Sequence, residues 1–129
     1  MAAGGRDRGA AAVEFALVAP VLLLLVLGIT EFGRAYHLQT TLSGAAREGV
    51  RVMALQDDRA AARAATRSAA QPLVLTDAQI AVSPDSCAAA RASGSGNATV
   101  TVTYPMDFIG GFMGASITLT GRGVMRCNG

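Results

Sequence analysis

The apolar positions of this chain change their spacing twice along its length. Residues 10–29 read AAAVEFALVAPVLLLLVLGI, apolar on every side and interrupted only by Glu14 and Pro20. A helix needs about 20 such residues to cross the hydrocarbon core of a bilayer, so this run predicts a transmembrane helix. Beyond it, TEFGRAYHLQTTLSGAAREGVRVMALQ contains no proline, and Leu38, Leu42, Ala45, Gly49 and Val52 recur at helical intervals. The pattern predicts that the same helix continues to about residue 55, on the order of 70 Å from residue 10 at 1.5 Å per residue. Within it Gly44, Ala45, Ala46 and Gly49 are small enough to admit a neighbouring backbone, either of the chain's own domain or of a partner.

Asp57 and Asp58 follow as caps for a second helix. Arg59, Arg63 and Arg67 lie along it at four-residue intervals, separated mostly by alanine, and Pro72 stands near its end. A solvated charged face is the plain reading of that row; a polyanion site is the other. From residue 73 the period shortens to two. A short strand is predicted over residues 79–83, closed by Pro84. In residues 98–104, ATVTVTY, Val100, Val102 and Tyr104 point to one side and the threonines to the other. In residues 116–127 Ile117 and Leu119 alternate, while Gly121 and Gly123 leave room for a helix or backbone to come close. Antiparallel pairing of these strands gives a small sheet laid on the long helix, an α+β fold, because neither layer buries its apolar face alone.

Two features within the apolar run exceed what an anchor needs. Pro20 removes a backbone donor, so an opened or kinked turn is expected near Ala16. Glu14 puts a carboxylate into apolar surroundings, which costs about 3 kcal/mol at mid-membrane and less near an edge. Ahead of the run, MAAGGRDRG carries Arg6 and Arg8 against Asp7. This bias keeps the N-terminus in the cytoplasm and sends the rest of the chain outside, although Arg34 lies near the other end. A signal peptide fits less well: the run is long, carries a carboxylate, and meets its first small-x-small triplet only at Gly33-Arg34-Ala35.

Gly9, four small or apolar residues, then Glu14-Phe15 at the head of a membrane helix resembles the processing site of the Flp and TadE-like pilins. The segment AAREGVRVMA, residues 45–54, is similar to the signature that follows the helix in TadE-like pseudopilins, and VTVTYP (100–105) with ITLTGRGVMR (117–126) echo their endings. The resemblance implies a leader of residues 1–9, cut by a prepilin peptidase between Gly9 and Ala10. It implies a transmembrane helix of 10–29 and an extracytoplasmic domain of 30–129, helical to about 71 and with strands from about 79. The implied role is a minor pilin or pseudopilin of a tight-adherence (Flp) pilus. Its partners would be the membrane, the peptidase, the major Flp pilin, a second pseudopilin and the inner-membrane assembly platform. On this reading Glu14 pairs with the freed α-amino group of Ala10 on a neighbouring subunit; otherwise it reaches back to the headgroups. Ala45, Arg47, Glu48, Gly49 and Arg51 form a helix-packing or partner face, in which Glu48 and Arg51 stand as an i,i+3 charge pair.

Composition narrows the rest. With 129 residues there is room for one membrane helix and one small domain. Eleven basic residues, all Arg, against nine acids give a net charge of +2, too mild for a nucleic-acid partner. Cys87 and Cys127 both fall on the expected external side, and a disulfide between them is predicted because small secreted domains compensate thin cores this way. No cofactor or metal is expected: there is no CxxC, and His37 is the sole histidine. No nucleophile motif or phosphate-cradling loop points to an enzyme. Asn97-Ala98-Thr99 matches a glycosylation sequon. Met106, Phe108, Ile109, Phe112 and Met113 crowd a glycine-punctuated connection, as a cap on the core or as a partner patch. The competing function is a permanently membrane-anchored extracytoplasmic module that binds a ligand through its sheet or that connection.

Overall fold

Helix α1 spans Ala3–Gln56 in the computed structural model, which describes residues 3–109 and 115–127, with side chains from residue 6. It is unbroken at Pro20, so the absence of a Pro20 N–H for the Ala16 carbonyl does not end it. The chain divides into two units, Met1–Arg34 and Ala35–Gly129. In the first, Val13, Phe15, Leu17, Val18, Ile29 and every residue from Val21 to Val26 are exposed. Six consecutive residues cover more than a full turn, so this stretch presents hydrocarbon in all directions, as a membrane-spanning helix does.

In the second unit α1 buries one face, formed by Leu42, Ala45, Ala46, Gly49, Val50 and Met53, with Leu38 and Val52 at its margins. Helix α2, Arg59–Ala70, starts where the Asp58 carboxylate accepts the Ala61 N–H at 3.1 Å. Its inward positions are Ala62, Thr66 and Ala70, one every four residues. Thr66 is fully buried and its hydroxyl donates back to the Ala62 carbonyl at 2.8 Å, with the hydroxyl and Cβ lying over Gly49. A short 3-10 turn, Asp77–Gln79, leads into β1, Ile80–Ser83. Helix α3, Cys87–Ala92, is capped by Ser86 and precedes the long strands β2, Asn97–Asp107, and β3, Ser116–Arg126.

The sheet is antiparallel in the order β1-β2-β3. Its register sets Ile80 against Val102, Val82 against Val100, Val100 against Gly123 and Val102 against Gly121. Ala98, Val100, Val102 and Met106 therefore share one buried face with Ile80, Val82 and Leu119. The two glycines of β3 lie directly beneath α1. A Cβ on Gly123 would stand 2.7 Å from the Ala46 carbonyl oxygen, and one on Gly121 would meet the Leu42 backbone. The sheet and helix thus meet backbone to backbone, as the glycine spacing predicts. Tyr104, expected inward with the valines, is half-buried, and Ile117 is 44% exposed although it shares the inward parity of Leu119. Both lie in the half of the β2–β3 ladder that extends beyond β1, whose pairing on β2 stops at Val102.

A bond joins Cys87 to Cys127, 40 residues apart, with Cα atoms 5.7 Å apart. It ties the residue after β3 to the first turn of α3. Alternation and glycine spacing give no sign of α3. Its signal is local: Ser86 followed by CAAARA, a capping hydroxyl ahead of helix-forming alanines.

Candidate functional site

The residues singled out from sequence fall in separate places. Gly9, Ala10, Glu14 and Phe15 all lie within α1, in the first unit, and all are exposed. Phe15 borders a shallow apolar groove with Ala19, Leu22, Leu23 and Val26. Toward the end of the same unit Arg34 pairs with Glu31 at 3.3 Å, and the Thr30 hydroxyl bonds the Val26 carbonyl at 2.8 Å, returning a polar group to its own helix.

In the second unit the segment from Ala45 to Arg51 divides by face. Ala45 and Gly49 are buried in the unit's own core, Gly49 against Thr66. Arg47, Glu48 and Arg51 are exposed, and no ion pair joins Glu48 to Arg51. The pair expected from their i,i+3 spacing is therefore absent, as solvent competition for two exposed side chains permits. Gly44, also read as a packing residue, faces open space.

The arginine row of α2 is not a fully solvated face: two of its three members are engaged by acids of the chain itself, while Arg63 is in no ion pair among the described residues. All three are half-buried; Arg59 pairs with Asp85 at 3.1 Å, and Arg67 pairs with Asp77 and also donates to the Leu75 carbonyl at 3.4 Å. An open hollow of about 620 Å³ beside Arg67 is lined by Gln71, Pro72, Leu73, Val74 and Leu75, and its only cation is already engaged by Asp77. Asp57, expected to cap α2, has a different role. It sits at φ +54° and its carboxylate accepts the Cys87 N–H at 2.7 Å, holding the start of α3 beside the end of α1. Periodicity carries no trace of this contact between residues 30 apart.

Asn97 is exposed at the first position of β2, and His37 is exposed on α1. Met106 is buried and Phe108 half-buried against the core, whereas Ile109 is 58% exposed. Phe112 and Met113 lie outside the described residues.

The family model for TadE-like protein matches residues 9–51. The match begins at Gly9, takes in the whole apolar run and ends at Arg51, leaving α2, the sheet and the disulfide outside it. No curated protein and no solved structure matches the chain.

Proposed function

We propose that this chain, TadE-like over residues 9–51, is a minor pilin or pseudopilin of a tight-adherence (Flp) pilus system. The observation that carries the reading is the coincidence of that match with a single helix whose residues 13–29 expose hydrocarbon on all sides. A single-pass membrane protein with a small disulfide-bonded domain is the coarse form of this statement. Its finer form concerns processing and assembly. A prepilin peptidase hydrolyses the Gly9–Ala10 peptide bond, releasing the leader as a carboxylate and leaving the α-amino group of Ala10 as a cation. Glu14 lies four residues on, about one turn along the helix. In a low-dielectric medium its carboxylate is stabilised by the Ala10 cation of an adjacent subunit, and that pair sets the axial register between subunits.

The domain beyond Arg34 lies outside the cytoplasmic membrane, where its cysteines are oxidised. The chain acts as a substrate of processing and as a structural subunit, not as a catalyst. Its partners are the peptidase, the major pilin, a second pseudopilin and the assembly platform, and its contribution to adhesion passes through the pilus. Intact-mass analysis of protein taken from its native membrane without reductant tests the reading. A chain beginning at Ala10, lighter by two hydrogens for the disulfide, supports it. A chain retaining residues 1–9 overturns the processing step and favours a permanently anchored binding module.

A further inference from the structure

The sheet has two edges of very different kinds. β1 is four residues long and is flanked by a 3-10 turn and by α3, whereas β3 runs for eleven residues with β2 on one side only. On β3 the odd-numbered residues face β2. The Phe108 N–H donates to Ala115, the Cys127 N–H donates to Gly96, and an antiparallel ladder alternates its bonding direction residue by residue. Thr118, Thr120, Arg122, Val124 and Arg126 thus turn their N–H and C=O groups to the free edge. Among the described residues only the Thr120 carbonyl there has a side-chain partner, Gln39 Nε2 at 2.6 Å. Gln39 begins a row on α1 that continues through Ser43, Arg47 and Arg51. Gly121 lies beneath Leu42 and Ser43, and Gly123 beneath Ala46 and Arg47, so two residues of strand advance with four of helix. The row that touches the edge at Thr120 therefore accompanies it, and its arginines stand alongside Val124 and Arg126.

Charge marks the same half of the edge. Arg47, Arg51, Arg122 and Arg126 are all exposed, and among the described residues none is in an ion pair, in contrast to Arg34, Arg59 and Arg67. Glu48 is the acid nearest in sequence and pairs with neither helix arginine. A second copy of β3 is a poor occupant, because antiparallel pairing about Val124 sets Arg122 against Arg126. The chain's other strands hold only Asp107 as an acid.

We infer that the free edge of β3 over residues 122–126 is a docking site for an extended acidic segment of a partner protein, which adds as a fourth strand. Backbone groups of Arg122, Val124 and Arg126 form its ladder, while Arg47 and Arg51 on the helix side and Arg122 and Arg126 on the outer face take its carboxylates. The inference concerns the second unit alone and holds whether or not Gly9 is cut.

The full chain in nonionic detergent is titrated with the labelled peptide Thr-Glu-Val-Asp-Val-Glu-Thr and with the same peptide N-methylated at alternate residues. The unmodified peptide is expected to bind and to slow amide exchange at Val124, and the methylated one to lose binding. Arg122→Glu with Arg126→Glu is expected to weaken binding by about tenfold. Val124→Pro removes an edge donor without touching the β2 ladder, so binding should fall while the melting temperature holds. No binding of the peptide, equal binding of the methylated form, equal binding to the Val124→Pro protein, or equal affinity for polyphosphate would each overturn the inference.

Discussion

Gly121→Ala is the sharpest test of how the sheet meets α1. A Cβ at this position would lie 2.5 Å from the Leu42 carbonyl oxygen and 2.7 Å from the Ser43 nitrogen, where ordinary contact begins at 3.4 Å. These are backbone atoms of a helix, so no side chain can swing aside, and α1 must rise from β3 by about 0.9 Å locally. Overpacking of this kind costs about 3 kcal/mol at the upper end of its usual range. Alanine also restricts the unfolded chain, which returns about 0.5 kcal/mol. The net loss is about 2.5 kcal/mol, and for a domain of this size the melting temperature falls by about 10–20 °C. At Gly123 the nearest atom is the Ala46 oxygen at 2.7 Å, so the required displacement is smaller and the loss is about 1.5 kcal/mol. One lift of the helix relieves both sites, so the double substitution costs less than the two single losses together. Gly44→Ala supplies the control, because nothing lies within 4 Å of its added carbon. It sits within α1 and gains about 0.8 kcal/mol from helix propensity alone. The assay is thermal unfolding of the oxidised full chain in detergent, followed by thermolysin resistance of the second unit. Gly121→Ala melting at or above wild type refutes the backbone contact.

Replacing Cys87 and Cys127 by serine opens a 40-residue loop and is expected to cost about 4 kcal/mol in the chain-entropy model, measured as the difference in urea midpoint from the oxidised protein. Asp57→Ala loses the acceptor of the Cys87 N–H and puts alanine at positive φ, for about 2 kcal/mol, whereas Asp57→Asn keeps both features and should lose under about 1 kcal/mol. Glu14→Gln is expected to leave the full chain's melting in detergent unchanged while reducing incorporation into sheared filaments; incorporation equal to wild type removes the register role. Reversal of Arg47 and Arg51 to Glu should likewise preserve melting, since both side chains are exposed, and should lower piliation.

The layers of the fold were legible because their periods differ: apolar on all sides, then every third or fourth residue, then every second. Gly121 and Gly123 were legible for the same reason, since two glycines two apart in a strand leave a flat strip on one face. What escaped was non-local or very short. Asp57 lies in a position that reads as a cap, and only the chain's return brings the Cys87 N–H to it. Arg59 and Arg67 of α2 read as part of a watery face because their partners, Asp85 and Asp77, lie in later connections. Helix α3 has six residues, fewer than two turns, and no periodicity can be counted over that length. The missing Glu48–Arg51 bond is a limit of another kind: spacing makes the pair possible, but two exposed side chains gain too little to hold it.

The segment from Ala45 to Arg51 can be divided by asking which of its residues the domain itself uses. Ala45 and Ala46 are small beneath a sheet whose glycines admit α1 at backbone distance, and Gly49 is small because Thr66 of α2 occupies the place of a side chain. Packing accounts for those three, and each would be required in a domain of this shape whatever it did. It does not account for Arg47, Glu48 and Arg51, which are exposed, bonded to nothing among the described residues, and free to be alanine as far as the core is concerned. Yet the family match runs through them to Arg51. The charged half of the segment is therefore where an external partner is to be sought, and the small half is where substitution reports on folding. A panel that changes Gly49 to Ala in one variant and Arg47 with Arg51 to Glu in another should separate the two readouts. The first should lower stability by about 2 kcal/mol through the clash with Thr66, and the second should leave melting unchanged and reduce assembly. Loss of melting in the second variant would mean that the arginines serve the fold after all.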